Sequence, residues 1–172
     1  VRAPEDIVRP GVARKGKFPL RRRPAGAANE AAAFRLPHRA GKGHAMSRFT
    51  LLLGGDLVRT PLLDRQVAGS RVIAADSGIR HATSLGVTPE LWVGDFDSAP
   101  ADLPAALATV PQRKFPADKD MTDGELAVAA ALERGATSLV LAGAFGGARA
   151  DHGFLHMALA LKLAEAGTAT LL

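Results

Sequence analysis

Short apolar runs alternate with longer amphipathic stretches from about residue 46 onward. Each run is rich in Val, Ile, Leu and Ala, and most are followed directly by Gly or Asp, which is typical of buried strands and the turns after them. The first strand holds Phe49 and the third holds Trp92, and both aromatic side chains are expected in the core. Phe96 is also expected there, with a base-stacking platform as the alternative for Trp92 and Phe96. The predicted strands span residues 49–53, 71–75, 91–93, 112–115, 138–142 and 168–172.

The stretches between these runs predict helices. The clearest covers residues 122–134, because Thr122 and Glu125 have the spacing of a capping box and Gly135 occupies the position after the helix end. The last predicted helix places Leu155, Leu159 and Leu163 four residues apart. The predicted helices span residues 58–67, 79–85, 101–108, 122–134 and 151–166.

This alternation predicts an α/β fold with a mostly parallel, Rossmann-like sheet that is covered by helices on both faces. In such sheets, ligands bind beyond the carboxyl ends of the strands. Glycines and charged residues of this chain follow that rule, since many of them come directly after a predicted strand. They are Gly54, Gly55, Asp56, Asp76, Asp95, Asp97, Asp118, Asp120, Gly146, Gly147 and Arg149.

Residues 1–45 differ in composition from the rest. They contain 11 of the 22 Lys and Arg residues but only 3 of the 17 Asp and Glu residues, so the net charge of +5 arises there and the remainder is mildly acidic. We expect this Pro-, Arg- and Ala-rich leader to be disordered, with the α/β domain covering residues 46–172. Alternatively, residues 1–45 could serve as a basic arm, a targeting leader or a nucleic-acid-binding segment. For the mildly acidic domain itself we expect no nucleic-acid partner.

The remaining composition excludes several classes of site. The chain has no Cys, which rules out disulfides and thiolate metal ligands. No apolar run approaches the roughly 20 residues needed to span a bilayer. We therefore expect a cytoplasmic protein with no membrane partner.

Aspartates at matching spacings are the sharpest chemical signal. Asp95 and Asp97 would face the same way in an extended segment, with Phe96 turned into the core. Asp118 and Asp120 repeat that spacing, and Asp123 follows. Carboxylates that converge on one cleft repel each other unless a cation lies among them, and a set of oxygen ligands suits Mg²⁺. The alternative is that each Asp is a helix cap or turn residue.

A glycine-rich loop is the second signal. Gly146 and Gly147 can bring backbone N–H groups to an anion, and Arg149 can bind phosphate oxygens. Asp151 can cap the last helix instead of contacting a ligand, and His152 can bind substrate or simply pack. The spacing matches neither the P-loop nor the dinucleotide fingerprint. Lys119 can neutralise polyphosphate charge or moderate repulsion among the carboxylates.

In this order, the motifs resemble those of thiamine pyrophosphokinases. The resemblance covers roughly residues 48–172 and includes Ala-Asp-Ser-Gly at 75–78, Gly-Asp-Phe-Asp-Ser at 94–98, Asp-Lys-Asp-Met-Thr-Asp at 118–123 and the loop at 146–152. It implies ATP-dependent transfer of a pyrophosphoryl group to the hydroxyl of thiamine, with thiamine diphosphate and AMP as products. It also implies a homodimer and a C-terminal β-sandwich, and we expect residues 46–172 to hold only the catalytic domain or a truncated form of it.

The resemblance assigns roles residue by residue. Asp95, Asp97, Asp118 and Asp120 would hold Mg²⁺ and the triphosphate, and Asp97, Asp123 and Arg149 would act in catalysis. The nucleotide would be bound by Asp76, Lys119, Gly146, Gly147, Arg149, Asp151 and His152.

Two departures from the family pattern affect these assignments. Met121 stands where an aromatic residue is usual, and Ala148 separates Arg149 from the glycines. Three alternative functions stay open: a related diphosphokinase that acts on a hydroxymethyl pterin, a nucleotide-binding module without turnover, and a nucleic-acid binder acting through the leader.

Overall fold

A parallel six-stranded sheet forms the centre of the fold. The computed structural model describes residues 47–100, 102–116 and 120–172. The leader, Asp118 and Lys119 therefore lie outside the described residues. The strands are β1 (Arg48–Leu52), β2 (Arg71–Ala75), β3 (Leu91–Gly94), β4 (Gln112–Lys114), β5 (Ser138–Ala142) and β6 (Ala169–Leu171).

The strands lie in the order β4-β3-β2-β1-β5-β6, and all five pairings between neighbours are parallel. The predicted α/β fold with a parallel sheet is confirmed. The chain progresses outward from β1 to β4 and then returns to place β5 on the other side of β1. This reversal of direction creates a crevice beside β1, which is where ligands bind in open parallel sheets.

Five α-helices and one 3₁₀ helix connect these strands, and no helix within the described ranges is long and apolar enough to cross a bilayer. The 3₁₀ helix follows β2 directly and runs into α2, where the sequence predicted a single helix beginning later. The helices are α1 (Pro61–Val67), the 3₁₀ helix (Asp76–Arg80), α2 (His81–Leu85), α3 (Ala105–Ala108), α4 (Asp123–Glu133) and α5 (Ala150–Glu165).

Proline and capping residues explain where helices begin. The predicted start of α1 was too early, because Pro61 occupies the first turn and the Thr60 hydroxyl caps it by accepting the N–H of Leu63 at 3.1 Å. Likewise, Pro104 is the N-cap of α3, so residues 102–104 of the predicted helix lie outside it.

The predicted capping box of α4 is confirmed. The Thr122 hydroxyl accepts the N–H of Glu125 at 3.2 Å, and the Glu125 carboxylate accepts the N–H of Thr122 at 2.8 Å. Gly135 follows the helix with φ of 84°, as expected for the residue that ends it. Removal of such a cap costs about 1 kcal/mol. The box fixes the first turn of α4, whose first residue is Asp123.

Alternate residues of β1 face the two halves of the core. Phe49 and Leu51 are fully buried in the half that includes α4 and α5, whereas Leu52 packs in the other half with residues of the 3₁₀ helix, α2 and α3. Burial of each of these side chains contributes about 1.5–3 kcal/mol. The two layers of helices thus hold the sheet from both sides and leave its carboxyl edge open to solvent.

Candidate functional site

A cleft of about 750 Å³ lies beyond the carboxyl ends of β1, β2, β3 and β5. Its walls come from the segments after those four strands and from the start of α4. Because all strands are parallel, these segments meet at one edge of the sheet, as the sequence predicted. Its charged and histidine lining residues are Asp56, Asp76, Arg80, Asp95, Asp97, Asp123, Arg149, His152 and His156.

Three carboxylates converge in this cleft. Oxygen atoms of Asp76, Asp95 and Asp123 all lie within 4.8 Å of one another. Each residue comes from a different part of the chain: the 3₁₀ helix after β2, the loop after β3 and the first turn of α4. Such an arrangement concentrates negative charge and offers hard oxygen ligands at a single point.

Asp76 is the most buried member of this group, with 7% of its surface exposed. Its backbone is held at φ of 41°, and the Trp92 indole donates a hydrogen bond of 2.8 Å to its carbonyl. One carboxylate oxygen accepts a hydrogen bond from the Ser98 hydroxyl. The other oxygen is buried and has no hydrogen-bond partner among the described residues.

A buried carboxylate oxygen without a partner costs free energy, and a left-handed backbone at a residue other than glycine adds about 1–3 kcal/mol of strain. A cation bound among the three carboxylates would supply the missing partner and offset their repulsion. The three-carboxylate group therefore fits a hard divalent cation such as Mg²⁺.

The segment from Asp95 to Asp97 is not extended, so the geometric reason for pairing these two side chains was wrong. Phe96 has φ of 66°, which turns the chain and lets its ring pack edge-on against Trp92 with centroids 4.7 Å apart. Trp92 is buried in the core as expected, whereas Phe96 is only partly buried and packs against the core. Asp97 donates its N–H to the Asp95 carboxylate at 3.2 Å, and its exposed side chain lines the cleft outside the three-carboxylate group.

Neither member of the second predicted carboxylate pair, Asp118 and Asp120, is among the described residues of the cleft. Asp120 is exposed and is not one of the described residues that line the cleft. Asp118 and Lys119 fall outside the described ranges, so their predicted roles stay predictions.

The glycine loop binds a carboxylate from within the chain. Gly147 donates its N–H to the Asp56 carboxylate at 2.8 Å. Gly146 has φ of 79°, and a side-chain carbon there would lie 2.6 Å from an Asp56 oxygen, so only glycine fits. The sequence placed Asp56 at this edge of the sheet but assigned it no role, because its partner is 91 residues away.

Arg149 forms an ion pair with Asp151. Its guanidinium donates two parallel hydrogen bonds, of 2.9 and 2.7 Å, to the two oxygens of that carboxylate. These bonds lower the pKa of Asp151 to about 2 and raise the pKa of Arg149. The alternative role of Asp151 as helix cap is wrong, because Arg149 is the N-cap residue of α5 and Asp151 lies in its first turn.

Two residues at the junction of the 3₁₀ helix and α2 hold the loop after β1. Arg80 donates from a single nitrogen, Nη2, to the carbonyls of Gly54 and Gly55 at 2.7 and 3.0 Å. His81 places Nε2 2.9 Å from the Gly55 carbonyl, and burial lowers its pKa. Sequence reasoning missed both residues; the available signal was their position about one turn after Asp76 at the end of a strand.

Two histidines of α5 complete the wall. His152 is half-buried and lines the cleft, with its ring centroid 6.3 Å from that of His156. His156 is buried and places Nδ1 2.8 Å from the carbonyl of Ala144, which anchors α5 to the segment after β5. On its other side it packs against Gly124, where an added side-chain carbon would lie 2.9 Å from Nε2.

Comparisons with known proteins identify a family and related folds. The family model described as "Thiamin pyrophosphokinase, catalytic domain" matches residues 66–172. A search of curated proteins gave no match.

Solved structures named as thiamine pyrophosphokinases share the fold. The Bacillus subtilis protein is 26% identical with a TM-score of 0.61, and the alignment covers 72% of this chain and 59% of that one. The Geobacillus thermodenitrificans protein is 31% identical with a TM-score of 0.57, with 73% and 58% covered. The Candida albicans protein, at 14% identity and a TM-score of 0.53, shows the fold alone. The chain thus spans less than two thirds of the length of these structures.

Proposed function

The chain belongs to the thiamin pyrophosphokinase catalytic-domain family, and on that premise we propose that it transfers a pyrophosphoryl group from ATP to the hydroxyl of thiamine. The products would be thiamine diphosphate and AMP. The observation that supports this most strongly is the convergence of Asp76, Asp95 and Asp123 in one cleft at the carboxyl edge of the sheet.

That convergence supports the binding of a metal–ATP complex. Asp76, Asp95 and Asp123 would hold Mg²⁺, and the exposed Asp97 would reach it directly or through water. The bound cation would neutralise charge on the triphosphate oxygens, which is the main requirement of phosphoryl-type transfer. The unpartnered buried oxygen of Asp76 supports this assignment, because a bound cation would supply the partner that no described residue provides.

The proposed reaction exchanges one phosphorus–oxygen bond for another. The thiamine hydroxyl oxygen bonds to the β-phosphorus of ATP, the bond from that phosphorus to the oxygen bridging the α-phosphate breaks, and AMP leaves with the bridging oxygen. The hydroxyl proton must be lost during this exchange. Asp123 is the residue we assign to receive or orient it, since it stands at the rigid start of α4 and also belongs to the three-carboxylate group.

The remaining wall of the cleft would position the two substrates and exclude water. His152 and the glycine loop also line the cleft and would contact the nucleotide. The proposal also includes roles for Asp118 and Asp120 in holding Mg²⁺ and the triphosphate, and for Lys119 in binding the nucleotide. It includes a thiamine pocket and a homodimer as well.

A measurement of AMP release by the complete chain tests the proposal. With Mg²⁺, ATP and thiamine present, we expect AMP and thiamine diphosphate to appear in equal amounts, and we expect EDTA to stop both. The variant Asp123→Asn should lose most of this turnover. Asp64→Asn, which removes an exposed carboxylate paired with Arg59 in a different cleft, is the matched control and should keep it.

Three other results would decide against thiamine pyrophosphorylation. AMP release with a hydroxymethyl pterin but not with thiamine would identify a different acceptor. Binding of Mg–ATP without AMP release would identify a nucleotide-binding module. Loss of the main activity on removal of residues 1–45 would favour the basic leader as the functional element.

A further inference from the structure

The cleft contains more negative than positive charge among the described residues that line it. Asp56, Asp76, Asp95, Asp97 and Asp123 face two cationic side chains, Arg80 and Arg149. A polyphosphate that enters such a cleft is repelled unless cationic groups face it. The protein groups able to receive the phosphates are therefore few, and their present partners decide which of them is available.

Two groups that could bind phosphate already have a carboxylate partner within the chain. The Gly147 N–H is bound by the Asp56 carboxylate, and the guanidinium of Arg149 is bound on two nitrogens by the carboxylate of Asp151. A phosphate must displace a carboxylate to use the Gly147 N–H or the Nε and Nη2 groups of Arg149, which leaves only Nη1 of that guanidinium. Each exchange replaces one anion with another, so the net gain is small.

Arg80 differs because its partners are neutral. Only Nη2 is engaged, and it bonds to the carbonyls of Gly54 and Gly55. No carboxylate of the described residues forms an ion pair with it. Its guanidinium is therefore in direct contact with no described carboxylate, and Nε and Nη1 make no hydrogen bond to any described residue. The two carbonyl bonds also restrict the side chain before any ligand arrives, which lowers the entropy cost of binding.

We propose that Arg80 binds the polyphosphate of the nucleotide and provides the principal protein cation for it in the described part of the cleft. The inference rests on the proposed function and identifies a residue that neither the motifs nor the family match assigns. The 3₁₀ helix places a negative and a positive side chain in the same cleft. It presents the Asp76 carboxylate at its first residue and the Arg80 guanidinium at its last, and both line the same cleft.

Calorimetric titration of the complete chain with Mg–ATP, and separately with Mg–tripolyphosphate, tests this assignment in the variant Arg80→Gln. Loss of a charge-assisted contact is worth about 1.5–3 kcal/mol, so we expect both ligands to bind about 10- to 100-fold more weakly. Arg80→Lys keeps the charge but not the fork and should lose less. Arg59→Gln is the matched control, because Arg59 is an exposed arginine bonded to Asp64 and the Ser84 carbonyl away from this cleft.

The salt dependence of binding separates a charge contact from a purely structural role. If Arg80 contacts phosphate, Arg80→Gln should also make binding less sensitive to added KCl, because one screened ion pair is gone. Equal affinity and equal salt sensitivity in Arg80→Gln and the unsubstituted chain would overturn the inference. So would a weakened affinity whose salt sensitivity is unchanged, since that result means that Arg80 only supports the loop.

The inference and the proposed function fail in different ways. If the unsubstituted chain binds neither Mg–ATP nor Mg–tripolyphosphate, both are overturned. If it binds them and the Arg80→Gln variant binds them equally well, the inference alone is overturned. Circular dichroism spectra and melting temperatures of all three variants establish that differences in binding do not come from unfolding.

Discussion

Replacement of Asp76 with asparagine removes one charge from the three-carboxylate group and changes little else. Asparagine tolerates the left-handed backbone found at this position, where φ is 41°. Its side-chain oxygen can still accept the hydrogen bond from Ser98. The main effect of the substitution is therefore to remove the negative charge, with an amide N–H₂ in place of the buried oxygen.

The magnitude follows from the separation of the charges. Two unit charges 4.8 Å apart repel each other by on the order of 3 kcal/mol at an effective dielectric constant of about 20. Asp95 and Asp123 are only half-buried, and solvent and salt weaken the repulsion. We therefore expect Asp76→Asn to raise the free energy of unfolding of the metal-free protein by about 1–3 kcal/mol.

Mg²⁺ should reduce this difference in the free energy of unfolding between the two proteins. A ligand that binds only the folded state stabilises it by RT ln(1 + [L]/Kd), which is about 1.4 kcal/mol at ten times Kd. The unsubstituted chain should gain this stability when Mg²⁺ replaces EDTA, whereas Asp76→Asn should gain much less. Urea unfolding in the two buffers measures both effects.

Asp64→Asn serves as the control for this experiment, because it removes an exposed carboxylate outside the cleft and should change stability by less than about 0.5 kcal/mol in either buffer. The reasoning is refuted if Asp76→Asn is less stable than the unsubstituted chain in EDTA and still gains the full increment from Mg²⁺. In that case the carboxylate would be stabilised by the fold itself rather than by a cation.

Three further predictions concern other parts of the cleft. Gly124→Ala places a carbon 2.9 Å from His156 Nε2 and should lower the free energy of unfolding in urea by about 1–3 kcal/mol. Gly153→Ala is the control, because its new carbon meets Phe145 at 3.4 Å and the change should be neutral or stabilising. Equal effects of the two substitutions would contradict the tight α4–α5 contact. Because the pKa of Asp151 is lowered to about 2 in the folded state, its ion pair stabilises the fold above the unfolded pKa of 3.8, and this stability is lost as pH falls through 2. An NMR titration of the Asp151 carboxyl should give the lowered pKa, and Arg149→Gln should return it toward 3.8. Asp97→Asn should reduce AMP release at least tenfold with little change in melting temperature, since its side chain is exposed; near-normal turnover would remove Asp97 from the site.

The parallel sheet and its functional edge were predictable because they depend on local patterns. Each buried strand is a continuous apolar run, and the capping box of α4 is encoded within four residues. Since parallel strands end at a common edge, the residues after each run had to meet there. Knowledge of the side-chain geometry was not needed for that step.

The composition of the three-carboxylate group was not predictable in the same way. Asp76 faces the cleft because a 3₁₀ helix starts directly after β2, and Asp97 lies outside the group because Phe96 adopts a left-handed backbone to pack against Trp92. Both features follow from packing between distant segments. Spacing along the chain favoured Asp95 and Asp97 as partners, whereas the fold joins Asp95 to Asp76 and Asp123.

Internal ion pairs were equally hidden from the sequence. The glycine loop and Arg149 have the residue types of a phosphate site, but the contacts of Asp56 and Asp151 determine how much positive character remains there. Arg80 lay inside a predicted helix without any motif, and only the structure shows that it bonds to backbone carbonyls and to no described carboxylate.

Anomalous X-ray diffraction from crystals grown with Mn²⁺ and ATP would test most directly whether carboxylates from separate strand ends hold the nucleotide's metal. We expect a manganese peak within coordinating distance of oxygens of Asp76, Asp95 and Asp123, next to density for the triphosphate. A manganese–ATP complex bound elsewhere, with these three side chains facing only solvent, would contradict the account.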